Sequence, residues 1–329
     1  MGAIALRIKV KSTRKEGDMG SEYISLFENK DSRGFSLTVE DLSITTIQQE
    51  VKDMLDLAEP AVAKVSDKIE LTPIPGYSLR ELVLRCIARK AYESMVAILE
   101  LVRLRHSLPA MSLLRSMCEE LIFAKFIQSL PSENVEKYLS EKAMLEILRG
   151  LEAQSVYFSS RRSVSTSRDS TDNKRLEEQK TLRKKLIEVP RQRLKELGKK
   201  LGWGEKDSPS VRYMAEKTGS LEIYTFFYHA ASSSVHASLH NLLRMVWGNP
   251  GTGQFSITNM NYEKYYRRVV ITYGATLFSE IMEAVTASFP EMWEGIDHKT
   301  YQDKVAFISN FTPPIVTQEE LNWRGIANK

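Results

Sequence analysis

The spacing of apolar and polar residues predicts one long helix from Leu221 to Trp247. On a wheel that advances ~100° per residue, one side of this helix is mostly apolar, as expected for packing against a core. That side carries Tyr224, Tyr228, Ala231, Val235, Leu239, Leu242 and Val246. A polar stripe opposite it carries Glu222, His229, Ser233, His236, His240 and Arg244. Three of the five histidines share this stripe, which makes it the first place to look for chemistry.

Comparable patterns predict further helices joined by short links, so we expect a mainly α fold, a bundle of seven or eight helices. The main predicted helices cover residues 43–69, 78–105, 109–130, 132–155, 176–201 and 262–289. Pro60 should break or kink the first of them, because proline lacks the backbone N–H. The Ser- and Arg-rich stretch 159–175 is typical of a flexible loop.

A small β element is predicted before the helical body. Ile4–Val10 alternates like a strand, and Tyr23–Phe27 and Phe35–Val39 favour a hairpin around Gly34. We therefore divide the chain into three parts. They are a β segment (1–42), a helical domain (43–305) that carries a basic insertion (159–206), and an extended tail (306–329) that should lie across the body or a partner.

The net charge of +4 is unevenly distributed. Residues 159–206 hold fifteen Lys/Arg against seven Asp/Glu, an excess of eight positive charges, and the rest of the chain carries −4. The segment is either a solvated helical arm or a contact for nucleic-acid phosphates or another anionic partner. The candidate contacts are Arg183, Lys184, Lys185, Arg191 and Arg193. Aromatic residues are absent from it until Trp203, so base stacking is not indicated.

The helix that Pro109 opens is apolar almost all round, yet Arg115 and Glu119 lie one turn apart on it. A buried charge without a partner costs several kcal/mol, so each of these two charges needs an ionic partner, a polar pocket or contact with water. They form an internal ion pair, or face a polar pocket shared with another helix, or are exposed to solvent.

Three short motifs resemble an uncharacterised bacterial family of all-helical domains of unknown function, numbered 5677. They are LLRSMCEE (113–120), SVRYMAEKTG (210–219) and YHAASSSVHAS (228–238). The resemblance covers roughly residues 45–285 and implies that an Arg-x-x-x-Glu helix pairs with a later Ser-x-x-x-His helix. Arg115 and Glu119 match the first motif; Ser232, or Ser233, and His236 match the second. The family carries no settled activity.

The family is similar to helical nucleotide-binding and RNA-cutting domains of prokaryotic conflict systems, by analogy alone. Those nucleases carry Arg-x4-6-His on one helix, and this chain has no such spacing. We still expect a conflict-system or antiviral-defence effector that cleaves RNA or senses a nucleotide. The alternative is a non-catalytic sensor or adaptor whose basic arm binds nucleic acid or a partner protein.

For cleavage, Arg115, Glu119, Ser233, His236 and His240 supply a cation, a carboxylate and acid–base groups. Ser232, His229 and Arg244 would bind the ligand. Such an enzyme would be a metal-independent ribonuclease or phosphodiesterase-like hydrolase. His236 and His240 at i, i+4 are a weak metal signal, so we expect no metal and no cofactor. The histidine stripe is equally typical of a plain solvent face, or of a buried helix in which His236 pairs with Glu119.

Composition adds four expectations. The chain is 42% hydrophobic and 27% charged, as in soluble proteins, and charges interrupt every apolar run. We therefore expect a cytoplasmic protein without membrane attachment. Cys86 and Cys118 should be buried reduced thiols. Long apolar faces make a homo-oligomer, by default a dimer, the expected state.

Overall fold

The structure is a computed structural model. It describes residues 29–30, 36–37, 44–67, 78–162, 170–228, 231–232, 242, 244–249, 254–258, 262–311 and 313–314. The chain divides into two compact units, residues 1–46 and 47–329, and each is described by itself.

In the first unit, two-residue strands β1 (Asn29–Lys30) and β2 (Ser36–Leu37) pair antiparallel. This pairing is too short to show the β element predicted for the N-terminal segment. The predicted strands Ile4–Val10 and Tyr23–Phe27 lie outside the described residues. The N-terminal β element therefore stays a prediction.

The chain is mainly helical, as predicted, with nine α-helices in the described part. They are α1 (Ile44–Ser66), α2 (Leu79–Arg103), α3 (Ser107–Ser129), α4 (Ser132–Arg162), α5 (Ser170–Leu201), α6 (Val211–Lys217), α7 (Leu221–Ile223), α8 (Glu263–Thr286) and α9 (His298–Ser309). A π-helical turn (Tyr224–Tyr228) follows α7, and a 3-10 turn (Pro290–Trp293) precedes α9. Strands β3 (Val246–Asn249) and β4 (Gln254–Ile257) form an antiparallel hairpin.

Helix α8 is the centre of the helical body. It packs on α3 and α2, and both Tyr273 and Phe278 are almost fully buried in it. A Cβ at Gly274 would lie 2.9 Å from the Met95 sulfur, so glycine lets α2 approach closely here. By length and composition α8 could cross a membrane, but 72% of its most apolar stretch is buried inside the body. Such burial is typical of the core helix of a folded domain.

Local sequence signals place several helix ends. The Ser78 hydroxyl accepts a hydrogen bond from the Glu81 backbone N–H at 3.3 Å, as an N-cap of α2 should. The Glu136 carboxylate of α4 accepts further bonds from the backbone N–H groups of Leu79 and Arg80, at 2.8 and 3.2 Å. Gly219, with φ +68°, follows the last turn of α6 in the left-handed conformation that glycine favours.

Several predictions about helix boundaries and burial differ from the structure. Helix α1 continues through Pro60, so the predicted break is absent, while the alternative of a kink stays a prediction. Both ends of the loop predicted for 159–175 are helical, because α4 extends to Arg162 and α5 begins at Ser170, and residues 163–169 lie outside the described residues. Cys118 is buried as expected, but Cys86 is exposed.

The segment from Leu221 to Trp247 is also not one continuous α-helix. Helix α7 gives way to the π turn after three residues, and a strand begins at Val246, where the helix was predicted to continue. A π turn takes up one extra residue, which rotates the later residues of the segment by roughly 100°. The helical wheel assumed one regular α-helix over residues 221–247. Its assignment of residues to an apolar and a polar face is therefore not valid along the whole segment.

The start of the C-terminal tail lies on α8. The Tyr265 hydroxyl donates to the Pro314 carbonyl at 2.8 Å, and Arg268 donates to the Phe311 carbonyl at 3.2 Å. The Tyr273 hydroxyl donates to the Pro313 carbonyl. The described residues that follow α9 thus lie on α8, whereas the division of the chain at residues 305 and 306 stays a prediction.

Candidate functional site

Arg115 and Glu119 interrupt the apolar surface of α3. The Arg115 Nε donates to Glu119 Oε1 at 3.0 Å, and the two side chains are 20% and 40% exposed. The hydrogen bond to Glu119 raises the pKa of Arg115, so the guanidinium stays charged. The pair therefore lies at the edge of the core, where water can reach the carboxylate more easily than the guanidinium.

A second segment completes this pair. Arg115 Nη2 donates to the Tyr228 hydroxyl at 2.8 Å, and the guanidinium carbon lies 4.7 Å from the centre of the Tyr228 ring. Tyr224 stacks on Tyr228 with ring centres 4.7 Å apart. Both tyrosines belong to the π turn, and such turns are frequent at functional sites. Arg115 thus joins α3 to the segment that leads into the histidines, so the pair is neither confined to α3 nor merely solvent-exposed.

The neighbouring polar groups are held in place by backbone contacts. The Cys118 sulfur lies 4.0 Å from the Ile223 carbonyl, and burial raises the pKa of Cys118 to about 12. The thiol is therefore protonated at neutral pH, which argues against a nucleophilic role. The Ser232 hydroxyl donates to the Tyr228 carbonyl, so this predicted ligand-binding residue is fixed to the same turn.

Most of the predicted histidine stripe lies outside the described residues. This holds for His229, Ser233, His236 and His240. His229 directly follows Tyr228 in the chain. The structure brings Arg115 and Glu119 to the start of this segment, while the roles of the four stripe residues stay predictions.

Arg244, predicted to bind a ligand on the polar stripe, is 7% exposed. Its Nη1 donates to the Tyr266 hydroxyl at 3.2 Å, and its guanidinium carbon lies 5.0–5.4 Å from the ring centres of Tyr262, Tyr265 and Tyr266. Cation–π attraction accounts for a charge in such a place. Leu242, predicted to face the core, is 53% exposed. The predicted faces are therefore reversed at this end of the segment.

The five basic residues proposed for nucleic-acid binding fall into two groups. Arg183 contacts the Ser155 hydroxyl, Arg191 pairs with Glu188 at 3.0 Å, and Arg193 pairs with Glu141 at 2.9 Å. Lys184 and Lys185 are exposed on α5. The three arginines thus stabilise α4 and α5, and the two lysines present their charge to solvent.

Sequence reasoning missed the tyrosines of the π turn and a second polar group on α3. Lys90 pairs with Glu120 at 2.5 Å, and the Ser116 hydroxyl donates to the same Glu120 oxygen at 2.8 Å. The other Glu120 oxygen is buried and has no hydrogen-bond partner in the part of the chain that the structure describes. The i, i+4 spacing of Ser116 and Glu120, parallel to that of Arg115 and Glu119, was the available signal.

Within the described ranges, no three His, Cys, Asp or Glu side chains come together as a metal site. This does not test the pair His236 and His240, which lies outside those ranges.

A family model described as a family of unknown function (DUF5677) matches residues 81–254. The matched range contains α3, the α4–α5 pair, the π turn and the histidine stripe. No curated protein and no solved structure matches the chain.

Proposed function

We propose that this chain, which belongs to the family of unknown function DUF5677, binds a phosphate of RNA or of a nucleotide beside Arg115 and cleaves a phosphodiester bond there. The observation that supports this is the double anchorage of Arg115 by Glu119 and Tyr228 at the turn preceding the histidine stripe. A guanidinium held in one orientation is suited to recognising phosphate oxygens.

The assigned roles follow from the chemistry of RNA cleavage. Arg115 stabilises the charge that develops on the phosphate oxygens, and Glu119 holds the guanidinium in orientation. His236 takes the proton from the ribose 2′-hydroxyl, which attacks phosphorus, and His240 protonates the departing 5′-oxygen. Ser233, which precedes both histidines in the sequence, is the fifth residue of the proposed catalytic group. His229 and Ser232 are proposed to contact the ligand.

The test is cleavage of total RNA by the purified full chain, with and without His236→Ala. Acid–base groups contribute about 10²–10⁴-fold to rate, so the variant should lose at least about 100-fold in activity. His106→Ala is the matched control, because His106 is exposed at the start of α3, and it should retain full activity. Unchanged cleavage by a folded His236→Ala variant would remove the catalytic proposal.

A second candidate function is a non-catalytic sensor or adaptor that binds nucleic acid through α5. The exposure of Lys184 and Lys185 favours it, whereas the engagement of three neighbouring arginines reduces the charge available. Binding of an RNA oligomer should then weaken steeply with salt and fall in the Lys184→Gln/Lys185→Gln variant. Lys52→Gln/Lys299→Gln removes two other exposed charges and should leave binding unchanged.

We extend the proposal to the setting of the protein. It acts as a cytoplasmic, dimeric effector of a bacterial conflict or antiviral-defence system, together with a partner protein of that system. The proposal keeps the small β element that the sequence predicts before the helical body. Growth arrest on expression of the wild-type chain, relieved by His236→Ala, would support this setting, and growth unaffected by the wild type would count against it.

A further inference from the structure

Helices α4 and α5 pack against each other as a hairpin, and the side chains on the faces that meet form an inner row on each helix. Leu145 on α4, and Ile187 and Leu194 on α5, are almost fully buried. Two polar contacts set the antiparallel register, Glu141 with Arg193 and Ser155 with Arg183. Residues whose numbers add up to about 336 therefore lie at the same level of the hairpin.

A second apolar row runs beside the buried row on each helix and is exposed. Its members are Met144, Ile147 and Leu151 on α4, and Leu182, Leu186 and Val189 on α5, each 47–60% exposed. Their spacings of three and four residues match the a and d positions of a coiled coil. Phe158, seven residues after Leu151 and 51% exposed, continues the row on α4.

The two exposed rows lie on the same side of the hairpin. On both helices an exposed position directly precedes a position of the inner row, as Met144 precedes Leu145 and Leu186 precedes Ile187. On any right-handed helix, the preceding residue points about 100° away from a given residue. The direction of this rotation is the same for every helix when each is viewed from its own N-terminus. Because the helices run in opposite directions and their inner rows face each other, both steps lead to the same side. The exposed rows thus form one continuous apolar face, with Ile147 level with Val189 and Leu151 level with Leu186.

This face is large enough for a stable interface. Seven half-exposed large side chains present roughly 700 Å², if each exposes about 200 Å² in full. Monomers rarely expose contiguous apolar patches beyond a few hundred Å². Two copies of the face would bury about 1,400 Å² in total, within the usual range for specific protein interfaces.

We infer that this face binds the same face of a second copy, so that two hairpins form a four-helix bundle. Charge selects the arrangement. Helix α5 holds eleven Lys/Arg against five Asp/Glu, whereas α4 holds five of each. A twofold axis parallel to the helices places α5 over the partner's α4, which keeps the two basic helices at diagonal corners. All neighbouring helices are then antiparallel, the usual packing in such bundles. The inference names the interface of the dimer that the proposed setting includes, but it does not depend on the proposed RNA cleavage.

The first test is the mass of the full chain in solution, measured by light scattering during size-exclusion chromatography. The wild type should be a dimer, and Leu151→Glu/Leu186→Glu should be a folded monomer, because both side chains are exposed in the single chain. Leu104→Glu is the control, since Leu104 is 53% exposed outside the face, and it should remain a dimer. A monomeric wild type, or a dimer that persists in the double variant, would overturn the inference.

A disulfide test checks the arrangement in a Cys86→Ser background. Ile147→Cys chains mixed with Val189→Cys chains should form a crosslinked dimer on oxidation, while neither variant crosslinks alone. Crosslinking by Ile147→Cys alone would place α4 on α4 and overturn the arrangement.

Discussion

Helix α3 and the outer half of the α4–α5 hairpin place apolar side chains in opposite environments. On α3 most apolar side chains are buried, and the polar Arg115, paired with Glu119, contacts a separate segment. On the hairpin, Ile147 and Leu182 are exposed, while charged residues pair with one another between the helices. In each region, function is indicated by the side chains whose environment does not match their polarity. On α3 these are polar residues on a buried helix, which indicate a site, and on the hairpin they are exposed apolar residues, which indicate an interface.

Truncation of a core leucine should produce the largest difference between the two regions. Leu121 on α3 is fully buried, so Leu121→Ala should lower the free energy of unfolding by about 2–5 kcal/mol. Leu182→Ala on the hairpin is the matched change and should cost less than about 0.5 kcal/mol in dilute protein. Urea denaturation measures both. Equal losses would mean that Leu182 is covered within the single chain.

Removal of Arg115 should have the next largest effect. Arg115→Ala takes away hydrogen bonds to Glu119 and Tyr228 and should cost about 1–3 kcal/mol of unfolding free energy. Arg212 makes the same i, i+4 contact with Glu216 at 2.9 Å but is 69% exposed, so Arg212→Ala should cost less than about 0.5 kcal/mol. If both variants lose the same amount by urea denaturation, the contact with Tyr228 contributes nothing to stability.

The pH dependence of stability tests the burial of Cys118 and should show the smallest effect. Its pKa is raised from 9.0 to about 12 in the folded protein, so the unfolded chain loses the thiol proton first as pH rises. The contribution of the buried, protonated Cys118 thiol to the free energy of unfolding is complete below about pH 8. It is lost progressively as the pH rises toward 12. Between pH 8 and 9.5 the wild type should lose about 1 kcal/mol more than Cys118→Ala.

Thiol labelling provides a direct control for the pH measurement. A maleimide should label one cysteine per native chain, Cys86, and two per unfolded chain. Labelling of Cys118 in the native protein at a rate similar to that of Cys86 would contradict its burial.

Sequence patterns predicted those features of the fold that depend on residues close together in the chain. The helix predicted to start at residue 78 has its N-cap at Ser78, which depends on neighbouring residues alone, and the helix predicted to be apolar almost all round, α3, is largely buried. The i, i+4 spacing of Arg115 and Glu119 gave an internal ion pair as one of three alternatives, and the two side chains do form that pair. The mainly helical fold followed from many such signals acting together.

Features that depend on distant contacts were not predictable in this way. Nothing local indicates that Arg244 lies among the tyrosines of α8, because that contact joins segments about twenty residues apart. The π turn at Tyr224–Tyr228 has no sequence signature that a regular wheel reveals. The exposed rows of the hairpin carry a heptad pattern that a sequence alone assigns equally to a buried core.

The most direct measurement is cleavage of total RNA by Arg115→Lys beside Arg212→Lys. Lysine keeps the charge but loses the fixed, planar set of donors, so Arg115→Lys should lower the cleavage rate at least tenfold without unfolding the protein. Arg212→Lys should leave the rate unchanged, since Arg212 makes the same helical ion pair away from the π turn. Equal cleavage by the two variants would contradict the assignment of Arg115 as the phosphate-binding cation.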